Sequence, residues 1–162
     1  MTTELADPGL YERDFYLWTQ QQAAELRHAA VQRTNLRLDL ENLAEEVESL
    51  GKTDRRAVVS HLIKLIEHLL KLAYSLSPYP RSGWRRSVRL GRRAIALIMK
   101  DSPSLEAILP ALIDEAYKFG AEEAVSGLRK YRESADGIPS ACPFTPDEVL
   151  DPNFWPEPRH RS

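Results

Sequence analysis

Apolar residues recur along most of this chain at intervals of three and four positions, the spacing of a helix that buries one face. Between Asp14 and about Val31 the stripe is Phe15, Trp18, Leu26 and Ala29, with Arg13, Glu25 and Arg27 off it. A second helix is predicted from Asp39, a good N-cap, to Leu50, with Gly51 supplying a left-handed closing residue. Its apolar stripe is Leu40, Leu43, Val47 and Leu50, and Asp39, Glu41, Glu45, Glu46 and Glu48 fill the remaining arc with no local cation to balance them. The third predicted helix, Thr53 to Leu76, is apolar over about half its wheel, which makes it the central element of the core. Ser77, Pro78, Tyr79 and Pro80 stop it.

A fourth helix, about Ser82 to Lys100, divides into an apolar side (Trp84, Val88, Ala94, Ile95, Leu97, Ile98, Met99) and an arginine side. Ser102 followed by Pro103 reads as the N-terminus of a fifth, with a kink or short break at Pro110 and continuation to about Tyr131. Beyond that, prolines punctuate a tail that still holds Ile138, Phe144, Val149, Leu150, Phe154 and Trp155, too apolar for a solvated linker. It is expected to form an ordered strap, with a capping box of Thr145 and Glu148 opening one helical turn. The expected fold is all-α: one domain over residues 8–156, a four- or five-helix bundle with a Pro-rich C-terminal strap, and flexible termini at 1–7 and 157–162.

Several segments carry a resemblance. Asp39-Leu-Glu-Asn-Leu-Ala-Glu-Glu-Val-Glu-Ser-Leu-Gly51, His68-Leu-Leu-Lys71, Asp101-Ser-Pro-Ser-Leu105 and Cys142-Pro-Phe-Thr145 followed by Leu150-Asp151 occur in that order. Together they resemble the bacterial domain-of-unknown-function family numbered twenty-nine, over about Tyr11 to Trp155. The resemblance implies an all-helical bacterial domain and carries over no catalytic residue. The arginine-rich fourth helix is a departure from the family pattern.

Composition narrows the class of protein. At 162 residues a single domain buries roughly 70% of its unfolded surface and needs no staple. A net charge of -2 gives no global pull toward nucleic acid or anionic lipid, and the lone Cys142 excludes an internal disulfide, which suits a cytoplasmic protein. No apolar run approaches the roughly 20 residues that cross a bilayer, so no membrane is expected as partner.

Three groups of residues are candidates for chemistry. His61 and His68 lie two turns apart at nearly the same angle of the third predicted helix, and a facing second helix would offer Glu41 and Glu45, a donor set for a divalent metal. The Glu-x-x-His spacing of two-metal bundles is missing, and no cofactor is expected from any other motif. Arg81, Arg85, Arg86, Arg89, Arg92 and Arg93 span about 140 degrees of the fourth helix and form a basic surface able to meet phosphates. Trp84 lies on the opposite arc, so stacking is absent, and pairing with the acidic second helix, within the chain or across a dimer, is favoured over nucleic acid. Cys142 has no local activator among His28, His61, His68 and His160, and Gln22, inside an apolar stripe, is expected to satisfy a buried backbone group. The expected function is a non-catalytic helical interaction module that self-associates or grips a protein partner. A metal-dependent enzyme and a weak nucleic-acid binder are the alternatives.

Overall fold

The computed structural model describes residues 7–159, so His160 and the outermost residues of both expected flexible termini lie outside it. The protein is all-α: α1 (Leu10–Arg13), α2 (Phe15–Val31), α3 (Leu40–Tyr74), α4 (Arg81–Asp101), α5 (Leu109–Lys130) and α6 (Pro146–Leu150), with a 3-10 turn at Pro103–Ile108 and no strand among the described residues. Of the flanks, Asp7 accepts from the Gly9 amide and pairs with Arg13, and the Arg159 amide donates to the Ala73 carbonyl.

The largest departure from expectation is α3. The second and third predicted helices are one helix of 35 residues, and Gly51 lies inside it rather than closing it. A Cβ at Gly51 would collide with Thr19 Oγ1, so this glycine is a point of close approach between α2 and α3. A glycine inside a helix costs only about 1 kcal/mol, which close packing of a second helix can offset.

By contact the chain divides into two compact units, one of residues 1–57 with 97–107 and one of 58–96 with 108–162. In the first, Asp14 caps α2 by accepting from the Leu17 amide, and also accepts from the amide and hydroxyl of Ser104. Ser102, expected to cap a fifth helix with its side chain, instead accepts from the Tyr16 amide and donates to Asp54. The turn after α4 thereby fixes the start of α2 against the middle of α3. Gln22 is half-buried, and its side chain bonds no backbone group among the described residues.

The second unit holds most of the large fully buried side chains. Val58, Leu62, Leu65, Ile66, Leu69 and Leu70 of α3 are fully buried, as are Val88 and Ile95 of α4 and Leu112, Ala116 and Ala124 of α5. A Cβ at Gly91 would meet Leu65 at an ordinary 3.5 Å, whereas one at Gly120 would stand 3.0 Å from the Ile63 carbonyl and from Ile66, so the glycine at 120 permits the close packing of α5 on α3. Pro110 falls at the first turn of α5, where its missing N–H is harmless, and the expected break precedes it as the 3-10 turn. Leu97, assigned to the apolar side of α4, is exposed.

The α5 C-terminus carries a positive φ at Arg132 (59°), and the amides of Arg132 and Glu133 fold back onto the Arg129 and Leu128 carbonyls. That turn delivers the Glu133 carboxylate to the end of α3, where it accepts from the Ser75 hydroxyl and the amides of Leu76 and Ser77. Arg81 complements it by donating to the Leu72 and Ser75 carbonyls.

Candidate functional site

The metal candidates do not converge. Because α3 is continuous, Glu41, Glu45, His61 and His68 lie on one helix instead of two facing ones. Even the nearest carboxylate and imidazole positions, Glu45 and His61, are separated by about 24 Å of helical rise. No group of three or more His, Cys, Asp or Glu side chains that could hold a metal ion occurs among the described residues. His68 Nδ1 donates to the Lys64 carbonyl at 2.7 Å, and burial holds its pKa below the ordinary value, against the upward pull of that carbonyl and of Glu67.

Beside it, Glu67 is buried and pairs with Lys71 at 2.6 Å and Lys64 at 3.2 Å. Burial pushes the Glu67 carboxyl up, and the bond and charge of Lys71, with the His68 charge and the Lys64 bond, together more than offset it, leaving its pKa below the usual value. The absent side chain of Gly127 makes room for the Lys71 ammonium, which explains why a charged pair sits in this core. Sequence reading missed the pair because Glu67 lies off the candidate histidine face.

Cys142 is half-buried, its thiol directed at the Phe144 carbonyl, and burial raises its pKa. That environment disfavours the thiolate that nucleophilic chemistry requires. Tyr117, whose hydroxyl donates to the Pro139 carbonyl, is likewise pushed up to about 12 by burial.

The six arginines of α4 separate into two kinds. Arg81 caps α3, and Arg92, only 5% exposed, turns inward, where Nε, Nη1 and Nη2 donate to the carbonyls of Val149, Phe154 and Glu148 at 2.9–3.0 Å. Burial lowers the Arg92 pKa, with the Asp151 carboxylate opposing. Arg85, Arg86, Arg89 and Arg93 stay exposed and make no ion pair among the described residues. Within the acidic stretch 39–50, Glu48 pairs with Arg27 and Lys52, which hold its carboxyl below the usual range.

The arginine face also acquires an aromatic that the helical wheel of α4 could not reveal. Trp155, beyond α6, lies under the guanidinium groups of Arg85 (4.9 Å) and Arg92 (5.2 Å). Next to it, Arg89, Arg92, Arg93, Ala96, Leu150 and Pro152 line a cleft of about 280 Å³.

The fold and these surfaces define an all-α protein that presents an exposed helix face of arginines and leucines. Residues 10–155 match the family described as "Domain of unknown function DUF29", and the chain belongs to that family. It is similar to an alpha-helical protein of unknown function from Rhodospirillum rubrum ATCC 11170 whose crystal structure is solved, with 26% sequence identity, a TM-score of 0.71, and coverage of 89% of this chain and 90% of that one. No match occurs among curated proteins.

Proposed function

We propose that this chain is a non-catalytic helical interaction module of the bacterial cytoplasm that grips a protein partner through the outer face of α4. The single observation that carries the reading is that Arg86, Leu90, Arg93 and Leu97, at positions i, i+4, i+7 and i+11, are all exposed while the same helix is anchored from its other side by Arg92. Such spacing is what a partner helix reads, and a pre-fixed helix loses little freedom on binding. The leucines within the stripe favour a protein over a phosphate backbone.

The reading includes one domain over residues 8–156, a four- or five-helix bundle with the Pro-rich tail as its strap. The family match over residues 10–155 and the anchoring of the tail by Arg92 support it. Affinity capture with the wild-type chain and with Arg86→Glu/Arg93→Glu as bait tests the function. A specific partner, the chain itself included, should be retained by the first and lost by the second, and identical capture by both overturns the proposal.

A further inference from the structure

Two stripes of this molecule have the same spacing and opposite charge. On α4, Arg86, Leu90, Arg93 and Leu97 share one face, with the leucines 51% and 62% exposed. On α3 and its N-cap residue, Asp39, Leu43, Glu46 and Leu50 take the same i, i+4, i+7, i+11 positions, with the leucines 41% and 52% exposed. Where one stripe has arginine the other has a carboxylate, and where one has leucine so has the other.

Among the described residues, neither stripe is spent on an ion pair within the chain. Arg86, Arg93 and Glu46 make no ion pair among the described residues, and Asp39 is held by Asn42 as the helix cap. Single exposed leucines are ordinary on a protein surface. Two leucines seven residues apart, bracketed by charges of one sign, and repeated elsewhere with the sign reversed, form a matched pair of docking faces.

We infer that the partner seated on the α4 face is a second copy of this chain, which presents the Asp39–Leu50 stripe of its α3. This rests on the interaction-module reading and names the partner. Leucines meet leucines at the centre, and the arginines meet Glu46 and the acidic N-terminus of α3, where negative charge is already favoured by the helix dipole. Nucleic acid would match the arginines and leave the leucines against phosphate, and an anionic lipid surface would repel the α3 stripe.

Sedimentation velocity of the full chain over a dilution series tests the inference. The wild type should associate, and added salt should weaken the association because the charges remain at the rim. Glu46→Arg, Arg86→Glu and Arg93→Glu, each at an exposed site and each checked by circular dichroism for unchanged helix, should weaken it about tenfold. Combining Glu46→Arg with either Arg86→Glu or Arg93→Glu should restore it in one of the two pairs, which reads out whether the helices run antiparallel or parallel.

A monomeric wild type overturns the inference, as does association that ignores all three reversals or is restored by neither pair. If the wild type is monomeric while capture of another protein still depends on Arg86 and Arg93, this inference fails and the module reading stands. If capture does not depend on them either, both fail.

Discussion

Gly51→Ala is the sharpest probe of how α2 meets α3. In an exposed helix interior the change stabilises by about 1 kcal/mol, since alanine loses less backbone entropy. Here the new Cβ would lie 2.1 Å from Thr19 Oγ1 and 3.2 Å from Thr19 Cβ, against an ordinary contact of 3.4 Å or more. Relief by rotation is restricted, because threonine is stiff at χ1 and its hydroxyl donates to the Tyr16 carbonyl at 2.7 Å in a fully buried position. Overpacking of this kind costs about 1–3 kcal/mol, and breaking the hydroxyl bond places it toward the upper end. The net expectation is a loss of about 1–2 kcal/mol, or roughly 2–8 °C in Tm for a chain of this size.

Thr19→Ala removes the clashing oxygen. In that background Gly51→Ala should become neutral or stabilising, so the double-mutant cycle by urea denaturation should show a favourable coupling of about 2 kcal/mol. Gly83→Ala is the control: nothing lies within 4 Å of its added Cβ, and it should stabilise by about 0.5–1 kcal/mol. If Gly51→Ala stabilises the wild type, or destabilises equally with and without Thr19, the close-approach explanation of this glycine is wrong.

Other expectations follow from single side chains. Arg92→Lys should destabilise by about 3 kcal/mol in urea melts, because one ammonium cannot reach the three carbonyls that the guanidinium serves; near-wild-type stability would refute that role. The His68 pKa lies below its unfolded value of 6.5, so the folded state resists protonation; its contribution is full above pH 6.5 and is lost as pH falls through the folded value. A proton-detected titration placing His68 above 6.5 would reverse that sign. Arg132→Gly should stabilise by about 0.5–1 kcal/mol, since its φ of 59° suits glycine. Duplex DNA should bind the α4 arginines no more tightly than roughly micromolar at physiological salt, and sequence-selective nanomolar anisotropy would contradict the choice of a protein partner.

Most of the fold was legible because burial leaves a period in the sequence. The ends of α2 and α4, the C-terminal end of α5, the capping box at Thr145 and an interruption near Pro110 follow from local stripes and caps, whereas the start of α5 lies at Leu109 and not at the expected Ser102-Pro103. The error at Gly51 came from reading a permissive residue as punctuation. The corrective signal was present in the phase: Leu40, Ala44, Val47, Gly51, Val58, Leu62 and Leu65 keep one face without a slip, which a true helix end would not. The site was less legible. The partners of Arg92 and the ring beneath Arg85 lie more than fifty residues away in the chain, and no local pattern encodes such pairings.

The anchoring of the tail by one guanidinium has a kinetic meaning. The amides of Val149, Asp151 and Phe154 are bonded locally, to Thr145, Asp147 and Asp151, but the backbone that holds them is fastened at the Glu148, Val149 and Phe154 carbonyls by Arg92. Releasing that side chain frees all three carbonyls together. These amides should therefore open as one cooperative unit, and their hydrogen exchange is expected to report a single event, the withdrawal of Arg92, rather than fraying from the C-terminal end.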